Sequence, residues 1–106
     1  MWVLRIGKRP LSWFKAEAAG NIPCPRYGHS MDMYEPGNFL IVHGGRNDFS
    51  SDSFALSDTY IFELNRFEWM KIELFFDSPK NRVFNRTGHS SIVYSNFILI
   101  FFIILF

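Results

Sequence analysis

The polar and apolar positions of this chain read as a succession of short strands. Within residues 58–64, Tyr60, Phe62 and Leu64 share one face while Thr59, Ile61 and Glu63 share the other, which is the alternation of a half-buried strand. Residues 39–43 form an unbroken apolar run closed by Gly44-Gly45, suited to a strand buried on both faces. Residues 30–34 are short and mixed, and Glu35-Pro36-Gly37-Asn38 has the composition of a turn. A polar loop covers 46–57, Asn65-Arg66 makes a tight connection, and 67–74 supplies a strand containing Trp69. The pattern predicts four short antiparallel strands between residues 30 and 74. Residues 12–19 have a local rival reading as a short helix with Gly20 past its end, but the repeat described next favours a strand there.

The chain resembles itself. Arg26-Tyr27-Gly28-His29-Ser30 recurs sixty residues later as Arg86-Thr87-Gly88-His89-Ser90, identical at four of five positions. Tyr34 answers Tyr94, and Asn38-Phe39 answers Asn96-Phe97 after a contraction of two residues. Leu40-Ile41-Val42 then answers Ile98-Leu99-Ile100. A second marker interleaves with the first: Trp13 and Trp69 are each followed by a large apolar residue and then by Lys15 or Lys71. Two markers at periods of 56–60 establish a structural repeat.

These residues resemble a kelch repeat. Arg26, Gly28-His29-Ser30, the strand ending in Gly44-Gly45, Tyr60 and Phe62, and finally Trp69 fill that pattern in order. Arg86, Gly88, His89 and Ser90 open a second copy. The resemblance implies an all-β fold, with four-stranded antiparallel blades of a kelch-type β-propeller, present here as about one and a half repeats. It divides the chain into the end of a preceding repeat with a proline-containing connector (1–25), a complete repeat (26–74), a linker (75–85), the start of the next repeat (86–101) and an apolar tail (102–106). Three departures stand out: Phe62 where the family usually has tyrosine, the long loop 46–57, and Phe102-Ile103 where a second glycine pair is due. The last suggests that the reading frame leaves the domain near Phe101. Because each repeat buries its faces on the next, fewer than about three units rarely stand alone. The isolated chain is therefore expected to be unfolded, aggregated or assembled with other chains.

Composition narrows the function. The chain has 106 residues, with 11 Lys plus Arg against 10 Asp plus Glu, so neither a nucleic-acid arm nor a polybasic membrane patch is expected. An aromatic content of 19% argues against disorder. Cys24 is the sole cysteine, which excludes an internal disulfide and fits a reducing, cytoplasmic setting, cytoskeletal association included. Arg5 interrupts the N-terminal apolar residues before they reach the roughly 7–15 of a secretory signal. At the other end, residues 97–106 are only Phe, Ile and Leu, shorter than the about 17–25 of a membrane helix. Their β-branched and aromatic content favours a buried strand for the first half of the run, with a membrane anchor through Phe97–Phe106 as the alternative.

Candidate chemistry is sparse. His29 and His89 occupy equivalent repeat positions, which points to structural hydrogen bonding rather than to a metal site with His43. Cys24 lies between two prolines with no orienting third residue, so no nucleophile pair with His29 is expected. Asn47, Asp48, Asp52 and Asp58 lack calcium-loop spacing and read as a solvated loop. No catalytic, cofactor-binding or metal-binding residue is predicted, and no cofactor. Arg46, Asn47, Asp48, Phe49 and Phe54 are the expected contact surface for a protein partner, since propeller loops commonly carry such contacts. The function expected is a protein–protein interaction module or scaffold without catalysis of its own. A fragment of a kelch-propeller enzyme such as a metal-dependent oxidase is the alternative.

Overall fold

A computed structural model describes residues 1–49, 55–73 and 86–101. The linker 75–85, Leu74, Asp52, Phe54 and Phe102-Ile103, on which several expectations fall, lie outside the described residues. Every strand expected from the alternation forms. In chain order they are β1 (Trp2–Arg5), β2 (Ser12–Lys15), β3 (Ala19–Gly20), β4 (Ser30–Tyr34), β5 (Phe39–His43), β6 (Thr59–Glu63), β7 (Glu68–Ile72), β8 (Ser90–Tyr94) and β9 (Phe97–Phe101). Residues 12–15 are a strand and not a helix, as the Trp13–Trp69 match required.

The central sheet runs β3-β7-β6-β5-β4, and β4 to β7 form an antiparallel meander. This is one complete four-stranded blade. On its outer edge β3 adds two residues in parallel to β7. β1 with β2, and β8 with β9, are separate antiparallel hairpins.

Connections explain the repeat's irregular spacing. Between β4 and β5 a single turn of 3-10 helix (Glu35–Gly37) ends on Asn38, whose φ of 51° places it in the left-handed region that asparagine tolerates. Between β8 and β9 only Ser95 and Asn96 intervene, with Ser95 at φ 53°. The contraction of two residues is thus a change of turn type that leaves the register intact. The expected strand 67–74 is shorter than the pattern suggested. Phe67 belongs to the preceding turn at φ 56°, and the strand begins at Glu68. An aromatic residue is accepted there because its ring packs edge-on against Phe62 at 4.9 Å between centroids.

The core is small. Phe62 is 1% exposed, flanked by Phe67 and by Trp69 at 4.8 Å. Val42 and Ile41 in β5 are also buried, as expected of a strand covered on both faces. Burying Phe62 contributes about 3 kcal/mol at most on an area basis.

The β8–β9 hairpin seats on β4 of the complete blade. The Ser91 hydroxyl donates to the Asp32 carboxylate, the Tyr34 hydroxyl donates to Asn96 Oδ1 at 2.9 Å, and His89 Nε2 lies 3.0 Å from Ser30 Oγ. Equivalent strands of successive repeats therefore stack face to face, which is how propeller blades succeed one another.

Candidate functional site

Arg26 fastens the loop end of the blade. Its guanidinium donates to both oxygens of Asp58, at 2.5 Å and 3.1 Å, and to the Gly44 carbonyl at 3.0 Å. The same group lies 5.3 Å from the centroid of the Tyr60 ring. Burial alone would lower its pKa, but the hydrogen bonds and charge of Asp58 outweigh that and raise it. Asp58, one of the oxygen donors singled out in the sequence, is thus committed to an ion pair.

Gly44 and Gly45 follow at the end of β5, with φ of 65° and 99°. A Cβ on Gly44 would stand 2.9 Å from the Arg86 carbonyl oxygen, and one on Gly45 would stand 2.9 Å from the His29 Cβ. Glycine is required here twice over, for backbone conformation and for close approach. The Gly45 N–H donates to the Arg86 carbonyl at 2.8 Å, and the Arg86 N–H donates to the Leu56 carbonyl at 2.9 Å. Arg26, Gly44, Gly45 and Arg86 are therefore joints of the framework.

From this framework the loop rises. Tyr27 and Arg46 exchange backbone hydrogen bonds, at 2.8 Å and 3.1 Å. Asp48 accepts from the Tyr27 hydroxyl at 2.7 Å and from Arg46 Nε at 2.5 Å. The hydrogen bond from Tyr27, then that from Arg46, holds the Asp48 carboxyl below its ordinary range, while Asp48 raises the Tyr27 phenol. The Asn47 side chain accepts from the Phe49 N–H at 2.8 Å, an Asx turn that fixes the next residue. Phe49, so placed, is 97% exposed. A shallow cavity of about 290 Å³ lies beside it, lined by Pro25, Tyr27, Arg46 and Phe49 among others.

The structure thus brings together Arg46, Asn47, Asp48 and Phe49, four of the five residues expected at a contact surface. Tyr27 belongs with them and was not expected. Its signal was available, because Tyr27 is the one position of the five-residue motif where the two copies differ, Thr87 standing opposite. A residue released from the repeat pattern is free to serve something other than the framework.

The fold brings His43 and His89 together and leaves His29 exposed. His89 is buried between its neighbours, with its ring 5.4 Å from His43 and its Nε2 near Ser30. His43 is also buried, and its Nδ1 lies 2.8 Å from Thr59 Oγ1. Burial, then repulsion from Arg86 and His89, pushes the His43 pKa down to about 4, and burial lowers His89 as well. His29 itself is exposed, beside Gly45. Cys24 is exposed, and its sulfur and carbonyl accept from Arg26 at 3.3 Å and 3.2 Å. Among the described residues no three His, Cys, Asp or Glu side chains gather as metal ligands. Among the same residues no helix is long and apolar enough to cross a membrane, and Phe97–Phe101 is a strand whose Phe97, Leu99 and Phe101 face is exposed rather than buried as expected.

A four-stranded meander, cornered by Arg26, the glycine pair and Trp69 and seating the next repeat on its inner strand, defines a β-propeller blade of the kelch type. The match to known families agrees. Residues 1–102 fit the model of the KLHDC2/KLHL20/DRC7 Kelch-repeats domain, and the chain belongs to that family. Kelch-repeat domains generally mediate protein–protein interaction. The chain is also 40% identical over 60 residues to the Rho GTPase-activating protein gacHH of Dictyostelium discoideum. That stretch is 57% of this chain and 4% of the relative, so the chain spans only a small part of that protein's length.

Proposed function

We propose that this chain is a protein-binding module that works without catalysis of its own, and that its contact surface is the Tyr27, Arg46, Asn47, Asp48 and Phe49 loop. The observation that carries the reading is Phe49, 97% exposed at the end of a turn braced by Asn47 and by the Tyr27–Asp48–Arg46 network. A large ring held in water by polar supports has little to lose on docking, because its backbone is already ordered. Arg46 and Asp48 offset one another, so the surface presents aromatic area with little net charge, as the centre of an interface tends to. The likeness to gacHH supports a module that serves within larger proteins. A reducing, cytoplasmic setting fits the unpaired thiol of Cys24.

The test is affinity capture with the tagged chain and with Phe49→Ala. Loss of the captured partner, with the far-ultraviolet circular dichroism of the wild type retained, supports the reading. Equal capture by both chains discards this surface.

A further inference from the structure

The edges of β1 and β9 and three apolar faces have no partner among the described residues. β1 pairs only with β2, and β9 only with β8. By the repeat, β1 and β2 are the outer half of a blade. Trp13 and Lys15 stand where Trp69 and Lys71 stand in β7, and Leu4 and Trp2 lie opposite them as Phe62 and Tyr60 do. By the same comparison β8 and β9 are the inner half of a blade, equivalent to β4 and β5. These are the two halves that compose one blade.

Exposure follows the same division. On β8–β9 the residues Ile92, Tyr94, Phe97, Leu99 and Phe101 share one face and are 42–70% exposed. This is the face with which β4–β5 receives β8. On the other side of β4, Met31 and Met33 are 60% and 38% exposed, and in the outer half Trp2 and Trp13 are each 66% exposed.

The open faces match each other pair by pair. Inside the chain, His89 meets Ser30, and Ser91 donates to Asp32. If an open β8–β9 face met an open β4 face in the same geometry, His29 would meet Ser90 and Met31 would meet Ile92. The polar pair Ser91–Asp32 is replaced by an apolar pair, with both members changed together. A crossed pairing would leave Asp32 against methionine, or Ser91 against isoleucine, and either strands a polar group.

We infer that a second copy of this chain covers both edges. The β8–β9 hairpin of one copy docks beside β1–β2 of the next, head to tail, and the four strands complete a blade. β9 then pairs with β1 in the register that β5 keeps with β6, setting Ile98 opposite Leu4, Leu99 opposite Val3 and Ile100 opposite Trp2. Trp2 and Trp13 cover the half-buried face of β6–β7 in the neighbouring copy that holds Ile61 and Met70. The contact is heterologous, so repetition closes a ring when the rotation between blades allows it. Each copy brings two blades' worth of described strands, and a ring of four to eight blades takes about two to four copies.

The test uses the 106-residue chain. Light scattering after size exclusion should show species at two to four multiples of 12.5 kDa. Cysteines at Val3 and Leu99, in a Cys24→Ser background, should cross-link between copies on mild oxidation, far more than a pair at Arg5 and Leu99. Ile92→Asp should weaken association by about tenfold or more. Adding Met31→Ser to it recreates the internal serine–aspartate pair and should restore assembly. A folded monomer at about 100 µM, where complexes of ordinary micromolar affinity are mostly formed, would overturn the inference. So would a chain unfolded at every concentration, equal cross-linking by the two cysteine pairs, or an Ile92→Asp defect indifferent to Met31→Ser.

Discussion

The β4–β5 and β8–β9 hairpins are the same piece of chain written twice, and they meet water very differently. Ile41 and His43 are 8% and 3% exposed, whereas Leu99 and Phe101, at the same register positions, are 42% and 55% exposed. The residue types do not account for this, since the more apolar hairpin is the more exposed one. What differs is the neighbour. β4–β5 has β6–β7 at its edge and β8 on its face, while among the described residues β8–β9 has β4–β5 on one side and no strand at its β9 edge or on its other face. In a repeat architecture a strand's burial is conferred by the next unit. His29 and His89 repeat the lesson, the first exposed and the second buried against a preceding blade.

The comparison can be broken from its strongest point downward. Removing the Asp58 carboxylate with Asp58→Ala leaves the Arg26 guanidinium, whose side chain is 4% exposed, without its counter-charge. A cost of about 3–5 kcal/mol is expected for stranding a buried charge, read as a shift in the urea midpoint. Next, Ile41→Ala should cost about 2–5 kcal/mol, as large-to-small changes in a core do. The equivalent Leu99→Ala should cost far less at dilution and approach the Ile41 value as concentration rises and copies assemble. Equal costs at all concentrations would erase the difference between the hairpins.

Acid should weaken the joint between them. An unfolded histidine takes a proton near pH 6.5, but folded His43 does so only near 4. Between those values the unfolded state binds more protons, so stability falls as pH drops through that window and is fully present above it. For His43 the loss amounts to about 3 kcal/mol over the window. His89 and His29, also lowered by burial, act in the same direction. Urea midpoints at pH 7 and pH 5 check this, and His43→Gln should flatten the slope. The smallest effect expected is the contrast between His89→Ala, at about 1 kcal/mol for the lost contact with Ser30, and His29→Ala, near zero at dilution.

Much of this fold was legible along the chain because its repeat is a pattern of residues at fixed offsets. The shortened turn before Phe97 follows from aligning the two copies, while the glycine pair after β5 and the rings of Phe62 and Trp69 follow from the kelch pattern. The apolar pattern extends the strand over Phe67, because nothing local reveals that its ring packs on Phe62 from within the turn. The seating of His89 on Ser30 and His43 was not legible either. It depends on how one blade lies on another, and hydrophobic alternation reports a face without saying what covers it. Of the candidate site, the residues around Phe49 read along the chain as an exposed polar loop. The Tyr27–Thr87 difference marks the position, but what Tyr27 does there depends on Asp48 accepting from both its hydroxyl and Arg46, a contact no alternation reports.

The closure beneath the loop has a consequence for how such a chain can change. The Gly44 N–H bonds the Asp58 carbonyl at 3.0 Å, the Leu56 N–H bonds the Gly45 carbonyl at 2.9 Å, and Arg26 ties Asp58 from below. The strand ends are thereby clamped independently of the segment that travels between them. Lengthening that segment adds only loop-closure entropy, about 0.6 kcal/mol for each doubling. New partners can be sampled by insertion after Arg46 while the blade underneath keeps its register.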